Sequence, residues 1–207
     1  GPDPRFGLEA PLQTRLSMTF PSALQFAITS TRSAVLANPA DPLSLVSSTE
    51  TSTVAGHTLS TTYTAATKTF VSTTPGGRTQ TFTLDTLGRF VTGQYGNLDP
   101  VHVTYDTRGL IATMTIGSGA DVRSVSYTYD VHGFVDTITD ATGRTAHLTH
   151  DAAGRVTGKT LPDTRVTTLG YDTAGNLTSV TPPGRPAHTL GYSDRNQLTL
   201  VTPPALP

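Results

Sequence analysis

The stretch from His150 to Pro186 reads HDAAGRVTGKTLPDTRVTTLGYDTAGNLTSVTPPGRP. It contains one frame twice, at residues 150–154 and 171–175: an aromatic residue, an aspartate, two variable residues and a glycine. The two copies are 21 residues apart. A frame that returns at a near-constant interval indicates a repeat architecture, which has to be established before any single motif is interpreted.

The frame recurs over most of the chain. Its aspartates are Asp85, Asp106, Asp130, Asp151 and Asp172, at spacings of 21, 24, 21 and 21 residues. One further step of 21 in each direction reaches Thr64, after Tyr63, and Ser193, after Tyr192. A second turn signal follows several of the frames and ends in Arg78, Arg144, Arg165 and Arg185. Repeat units with two turns each are therefore predicted over residues 59–202.

The segments between the turns alternate in polarity. In PVHVTYD, Val101, Val103 and Tyr105 share one face and the residues between them share the other. A period of two predicts β-strands, and the high content of Thr, roughly a fifth of the residues, suits a pleated surface. The predicted fold class is all-β: an antiparallel meander of β-hairpin repeats that forms a curved sheet.

The frame itself is interpreted as a turn. Positions in the frame are counted from the aspartate, which is taken as the first. This aspartate accepts hydrogen bonds from backbone N–H groups two or three residues on, and a glycine three residues later takes the positive φ that a bulged hairpin loop needs. The aromatic residue closes the inner face of the strand before the turn. The predicted structural residues are Tyr105, Asp106, Gly109, Tyr129, Asp130, Gly133, His150, Asp151, Gly154, Tyr171, Asp172, Gly175 and Tyr192.

Composition and motifs argue against several functions. The 14 basic and 15 acidic residues leave a net charge of −1, which attracts neither nucleic acid nor an acidic membrane surface. No apolar run approaches the roughly 18 residues of a membrane span, and there is no cysteine. No hydrolase, metalloprotease or nucleotide-binding motif occurs. We therefore predict no enzymatic activity, no catalytic residues and no cofactor.

Histidines and arginines are the remaining candidates for ligand binding. His147 and His150 are three residues apart, which on a strand sends them to opposite faces, so no metal site is predicted. The arginines that end the second turns are interpreted as solvated flanks rather than as ligand-binding groups.

The segments YDTRGLIATM, YDVHGFVDTITDATGRT, HDAAGRVTGKTLPDTRV and YDTAGNLTSVTPPGRPAHTLGY resemble the YD repeats of the RHS family. This family comprises bacterial Rhs proteins, the C components of ABC toxin complexes and animal teneurins. The resemblance implies a continuous β-strip that spirals into a hollow shell. In Rhs and ABC-toxin proteins the shell encloses a C-terminal toxin, and in teneurins it is an extracellular adhesion scaffold. The Asp-Pro pairs in NPADPLS and NLDPVH lack the glycine of the Asp-Pro-x-Gly motifs of self-cleaving Rhs cores.

The resemblance implies a fragment of the repeat region of an exported bacterial protein, secreted or held at the cell surface. Its implied partners are neighbouring repeats of the parent shell and an enclosed toxin or cargo. Edge-to-edge self-association is also expected, because an excised strip leaves unpaired edges. The alternative is an extracellular module that binds glycans or cell-surface partners. It would need exposed Tyr or Phe beside acids or amides, and the sequence has no aromatic surplus outside the repeat positions.

Three segments are predicted along the chain. Residues 1–58 form a degenerate Thr-rich β segment, and its opening Gly1-Pro2 resembles the remnant of a protease cleavage site left by expression. Residues 59–202 form the YD-repeat sheet, and residues 203–207 form a Pro-rich tail.

Overall fold

The computed structural model describes residues 1–204 and is all-β over that range. It contains 17 strands and one 3₁₀ turn at Gly119–Asp121. Every strand pairing whose register is defined is antiparallel, which confirms the predicted meander of hairpins. The predicted tail at 203–207 lies, beyond residue 204, outside the described residues.

The chain divides into two compact units. The first comprises Gly1–Val103 and Ile116–Asp121, and the second comprises Thr104–Thr115 and Val122–Pro207, described as far as residue 204. The division falls within two strands, β8 (Val101–Tyr105) and β9 (Ile111–Ile116). The boundary predicted at 58/59 falls inside a strand of the first unit, and the three predicted segments remain predictions.

The first unit is a hairpin meander in which each strand pairs with the next along the chain. Its strands are β1 (Arg15–Thr19), β2 (Gln25–Leu36), β3 (Leu45–Val54), β4 (His57–Thr64), β5 (Thr69–Thr73), β6 (Thr79–Leu84) and β7 (Phe90–Tyr95).

A row of facing aromatic residues crosses three of these strands. Tyr63 opposes Phe70, and Phe70 opposes Phe82, with ring centroids 4.5 and 4.6 Å apart. Aromatic pairs at this distance contribute about 0.5–1.5 kcal/mol beyond the area that they bury.

The start of the chain is held against β2 by Asp3. Its Oδ1 accepts hydrogen bonds from the backbone N–H groups of Arg5 and Phe6, and its Oδ2 accepts one from Arg32 at 3.0 Å. Asp3 is the only buried charged residue in the described range. Its burial would raise its pKa, but these hydrogen bonds outweigh that effect, and the pKa is lowered. No motif in the sequence points to Asp3, which lies outside the repeat frames.

The second unit repeats a shorter hairpin. Its strands are β10 (Arg123–Tyr129), β11 (Val135–Thr139), β12 (Thr145–His150), β13 (Val156–Thr160), β14 (Val166–Tyr171), β15 (Leu177–Thr181), β16 (His188–Tyr192) and β17 (Leu198–Thr202). The register shifts by one residue immediately before each aspartate or serine turn, at Tyr129, His150, Tyr171 and Tyr192. The aromatic position of the frame is therefore the position of a β-bulge.

Threonine pairs account for much of the unusual composition. Hydroxyl groups of facing residues hydrogen-bond across neighbouring strands in both units, each pair adding roughly 0.2–1 kcal/mol. The pairs are Thr31–Thr51, Thr49–Thr62, Thr53–Thr58, Thr69–Thr83, Thr104–Thr113, Thr128–Thr137, Thr139–Thr145 and Thr149–Thr157, at 2.6–3.1 Å.

Most of the strand positions are half-buried, although β1 and β17 are exposed along their whole length. Within the described residues Val103 is the only buried hydrophobic side chain, with 6% of its surface exposed, and no large side chain is fully buried. Most strand positions are intermediate in exposure on both faces, as in β15, where all five positions are intermediate. Threonine suits such a surface, because its branched carbon packs while its hydroxyl tolerates water.

Candidate functional site

The aspartate turns share one backbone geometry. In the turn at Asp151, the N–H of Asp151 donates to the carbonyl of Arg155 at 3.0 Å, and the N–H of Gly154 donates to the carbonyl of Asp151 at 3.0 Å. The same two bonds occur in the turns that begin at Asp85, Asp106, Asp130 and Asp172. The glycine has a φ of 79° at Gly154, in the left-handed region that an L-residue enters only at a cost.

The aspartate side chain caps its own loop. Oδ1 of Asp151 accepts hydrogen bonds from the N–H groups of Ala153 at 2.9 Å and Arg155 at 3.0 Å, two and four residues on. The second donor lies one residue further than predicted, because the loop closes between the first and fifth positions. Partial burial would raise the pKa of Asp151, but the hydrogen bonds and charge of Arg155 lower it. At Asp172 the side chain of Asn176 is the main cause of a lowered pKa.

The second turns have the same backbone pattern with different first residues. The turns at Thr74, Asp140 and Leu161 each make the two bonds described for Asp151. Only Asp140 adds the full side-chain cap, with hydrogen bonds from Thr142 and Arg144 that lower its pKa strongly. In the turn at Leu161, the glycine position is taken by Thr164 with a φ of 68°. The sequence analysis noted the glycine and arginine of these turns but missed Asp140.

Side chains connect successive turns. Arg155 donates from Nε to Oδ2 of Asp151 at 2.7 Å and from Nη1 to the backbone carbonyl of Asp172 at 3.2 Å. Its guanidinium also lies 4.7 Å from the ring centroid of Tyr171. One side chain thus joins its own turn to the next aspartate turn and covers Tyr171, the aromatic residue that precedes that second turn. We call such a connection a turn clip.

Two other steps have polar clips. Arg108 donates from Nη1 to the carbonyl of Asp130 at 2.7 Å and lies 5.8 Å from the ring of Tyr129. Asn176 donates to Oδ2 of Asp172 and to Oδ1 of Asn196, both at 2.9 Å. The donors therefore differ in residue type, and Arg108 also differs from Arg155 and Asn176 in its position in the frame.

The step from Asp130 to Asp151 has an apolar clip. The ring of Phe134 lies 5.4 Å from the ring of His150, and its edge occupies the space where a Cβ on Gly154 would stand, at 2.6 Å. Phe134 is in the fifth position of the frame, as Arg155 and Asn176 are in theirs. Nothing in the sequence pattern indicates that an arginine can occupy this position in place of an aromatic ring.

Two tyrosines of the frame also hydrogen-bond to the preceding repeat. The hydroxyl of Tyr129 donates to the carbonyl of Ile111 at 2.7 Å, and that of Tyr171 donates to the carbonyl of Val156 at 2.9 Å. The acceptor is the sixth residue of the preceding frame in both cases. Burial, followed by the negative charge of Asp106, raises the pKa of Tyr129. Tyr105 and Tyr192 stand at the same position, at the ends of β8 and β16.

The loop one repeat before Asp85, which follows Tyr63, does not have the geometry of the aspartate turns. The loop after Tyr63 closes through an N–H bond from Lys68 to Ala65 at 3.3 Å, and Lys68 has a φ of 52°. Tyr63 packs against Phe70 instead of receiving a turn clip. The contacts that hold this loop therefore differ from those of the aspartate turns.

The described part of the chain offers neither a metal-binding cluster nor a membrane-spanning helix. Over residues 1–204, no three His, Asp or Glu side chains lie close enough together to hold a metal ion. No helix in that range is long and apolar enough to cross a membrane. His147 and His150 differ in exposure, as expected for opposite faces of one strand.

These features define a hairpin-repeat protein in which side chains link the aspartate turns of successive repeats. The family model for the RHS repeat matches residues 150–187, which include the turns at Asp151 and Asp172 and the clip between them. The resemblance to RHS/YD repeats is thereby confirmed. No curated protein matches the sequence.

Two solved structures are similar in fold. The crystal structure of TcdB2-TccC3-Cdc42 aligns with 89% of this chain at a TM-score of 0.56 and 15% sequence identity. The crystal structure of TcdB2-TccC3 without hypervariable C-terminal region aligns with 89% at a TM-score of 0.55 and 14% identity. This chain spans 12% of the length of each of those chains. At such identity the likeness concerns the fold.

Proposed function

We propose that this chain is a non-catalytic wall segment of a larger exported RHS-repeat protein of a bacterium. The observation that carries the proposal is the set of turn clips, above all Arg155 between Asp151 and Asp172. Contacts of this kind hold each repeat only to the next repeat, as in proteins that extend by stacking repeats. A sheet with half-buried residues on both faces also suits a wall.

The wall encloses a C-terminal toxin or other cargo until delivery. The likeness to TcdB2-TccC3 supports this, since that protein has a hypervariable C-terminal region and its chain is much longer than the aligned segment. A constant wall followed by a variable segment is the organisation expected of a container. The partners of this chain are then neighbouring repeats of the same wall and the cargo, and the protein is secreted or held at the cell surface.

Protease protection of the intact protein that carries this segment tests enclosure. The C-terminal region should resist protease in the native protein and be digested once denaturant opens the wall. Gly154→Ala, whose added Cβ meets the ring of Phe134, should speed digestion more than Gly143→Ala, which lies in a turn with open space around it. Rapid digestion of the C-terminal region in the native protein would contradict the proposal.

Localisation is tested separately with an antibody against this segment. The wall protein should be found in the medium or at the surface of intact cells. Detection only after lysis would contradict export, while leaving the protease result to decide on enclosure.

A second candidate function is an extracellular module that binds glycans or cell-surface partners. It is favoured by one observation, a shallow groove beside Tyr95 that is lined by Phe82 and Phe90 together with the polar side chains of Gln80 and Asp99.

A further inference from the structure

Strand β1 is an open edge of the first unit. On one side it pairs with β2, in a register that places Arg15 opposite Thr29 and Thr19 opposite Gln25. Among the described residues of the first unit, no other strand pairs with it. All five of its residues are exposed, so its outer side is accessible to a further strand.

Backbone hydrogen bonds at the two ends of the β1–β2 hairpin show which groups of β1 point away from β2. The N–H of Ser30 donates to the carbonyl of Thr14, and the N–H of Phe20 donates to the carbonyl of Leu24, both at 2.9 Å. In an antiparallel pair, positions that are bonded to the partner alternate with positions that are not. The backbone groups of the even-numbered residues of β1 therefore point to β2, and those of the odd-numbered residues point outward.

The outward groups are unpaired. Each of the three odd-numbered residues of β1 supplies one N–H donor and one carbonyl acceptor, and these residues are Arg15, Ser17 and Thr19. Over residues 1–204, these groups make no hydrogen bond to another part of the chain. An edge with free donors and acceptors in this order is a template for another strand.

A second copy of β1 matches this template when the two copies are related by a two-fold axis through Ser17. Ser17 then faces Ser17 of the second copy, and Arg15 faces Thr19 in both directions. All three are hydrogen-bonded positions with two bonds each, so every outward group of the strand finds a partner. An axis through Leu16 places Thr19 opposite Gln13, which lies outside β1.

The apolar side chains of the hairpin continue across this join. Within the hairpin, Leu16 faces Ile28 and Met18 faces Phe26. Leu16, Met18 and Phe26 are 48%, 54% and 40% exposed. In the two-fold register, Leu16 of one copy faces Met18 of the other at a non-hydrogen-bonded position, where facing side chains are closest. An apolar row therefore crosses the join twice, once in each direction.

Charge does not oppose the same register. Arg15 is the only charged residue of β1, and it faces Thr19 of the second copy. The two arginines are offset by four residues along the strands, or about 13 Å at 3.3–3.4 Å per residue. This separation exceeds the Debye length of about 8 Å at physiological ionic strength, so the repulsion between them is largely screened.

We propose that two copies of this chain join through β1, as an antiparallel pair about a two-fold axis at Ser17. A second copy fits better than an unrelated strand, because one sequence supplies both halves of every match. The interface is closed, since the two-fold axis uses the β1 edge of both copies. Two five-residue strands form a small interface, at the low end of the range for specific complexes, so the dimer is reversible. It goes beyond the wall function and does not rest on it.

Single cysteines test the register, because the chain has no cysteine of its own. Cα atoms of a hydrogen-bonded antiparallel pair lie about 5.5 Å apart, within the roughly 4.4–6.8 Å that a disulfide spans. Ser17→Cys should therefore form a disulfide-linked dimer under mild oxidation. Thr19→Cys, on the same exposed strand, is the matched control and should remain monomeric, since its two copies are about 13 Å apart. A mixture of Arg15→Cys and Thr19→Cys should give the mixed dimer.

Sedimentation velocity on the whole chain measures the dimer without a cross-link. All variants carry Leu200→Lys, which places a charge on exposed strand β17 and opposes association there. Ser17→Pro removes the central outward N–H but none that bonds to β2, so it should abolish the dimer and keep the fold. Met18→Lys leaves the backbone unchanged and should also abolish the dimer, and it serves if Ser17→Pro does not fold. Val131→Lys, at a turn residue that is 91% exposed, should leave the dimer unchanged.

Four results would overturn the proposal. The first is a Leu200→Lys chain that stays monomeric at every concentration. The second is equal cross-linking of Ser17→Cys and Thr19→Cys, which would contradict the register. The third is cross-linking of Ser17→Cys to a copy with Leu200→Cys but not to itself, which would mean that β1 pairs with β17. The fourth is association that folded Ser17→Pro and Met18→Lys variants leave unchanged.

Discussion

Arg155 donates a hydrogen bond from Nη1 to the backbone carbonyl of Asp172 at 3.2 Å. The donor lies 17 residues before the acceptor in the chain, so the bond links one repeat to the next. The acceptor is a backbone atom, which every repeat supplies whatever its side chains. The clip can therefore be kept by any donor of sufficient length at the fifth position of the frame, and Arg108 shows that the third position serves as well.

Removing the clip should destabilise the protein measurably. Arg155→Ala loses the bonds to Asp151 and Asp172 and the contact with Tyr171, which together are expected to cost about 1–2 kcal/mol. Arg165→Ala is the matched control, because Arg165 is 64% exposed and bonds only within its own turn, and it should cost under about 0.5 kcal/mol. Urea unfolding of both variants measures the difference. Equal losses would mean that the clip adds nothing.

Two glycines with the same backbone angle should respond differently to alanine. Gly143 has a φ of 80° and open space around it, so Gly143→Ala should cost only the left-handed strain, about 1–2 kcal/mol. Gly154→Ala adds a collision with the Phe134 ring and should cost about 1–3 kcal/mol more. Thermal unfolding gives both values. Phe134→Leu in the Gly154→Ala background should recover part of the loss, and no recovery would contradict the collision.

Thr164 should be improved by glycine. It has a φ of 68°, which is unfavourable for a β-branched residue, so Thr164→Gly should stabilise by about 0.5–1 kcal/mol after the entropy of glycine is allowed for. Asn196→Gly, at a φ of 58°, should instead destabilise, because asparagine tolerates this region and supplies the acceptor for Asn176. The sign of each change in the urea midpoint is the result to compare. Destabilisation by Thr164→Gly would show that no strain is stored there.

The capped aspartates make stability depend on acid. Hydrogen bonds hold the pKa of Asp85, Asp106, Asp130, Asp140, Asp151, Asp163 and Asp172 below the ordinary value of 3.8. A carboxyl whose pKa is lower in the folded state stabilises that state above its unfolded pKa, and the contribution is lost as the pH falls through the folded pKa.

The pH experiment compares urea midpoints across the acid range. The contribution of these carboxylates should be unchanged at neutral pH and fall below pH 3.8. Replacing Asp140 by Asn should reduce the slope in that range, because the titrating group is removed. A steeper slope in Asp140→Asn would contradict the assignment.

Strand β17 should promote self-association. All five of its positions are exposed, including Leu200 at 60%, and within its unit it pairs with β16. Sedimentation velocity over a concentration series should show association that Leu200→Lys reduces, since charge on an edge strand opposes pairing between sheets. Val131→Lys, at a turn residue that is 91% exposed, is the control and should leave association unchanged. A chain that stays monomeric at all concentrations would contradict the expectation.

Local chemistry made much of the fold predictable from the sequence. An Asp-x-x-Gly loop makes its contacts within five residues, and period-two segments indicate strands without reference to the rest of the chain. The clip of Arg155 could not be predicted in the same way, because its acceptor depends on strand register across 17 residues. The equivalence of the turns at Leu161 and Asp140 was hidden for another reason, since backbone bonds close both loops while only one has an aspartate in first position.

The nearest-neighbour character of the clips has a genetic consequence. Consider the deletion of one repeat length, 21 residues. The residue at the fifth position of one frame then lies beside a new aspartate turn, whose first backbone carbonyl takes the place of the acceptor that was removed. Duplication of the same stretch inserts a unit that can be held from both sides without new side chains. Unequal recombination between such repeats can therefore lengthen or shorten the coding sequence by whole repeats, and we expect the fold to tolerate such variation in repeat number.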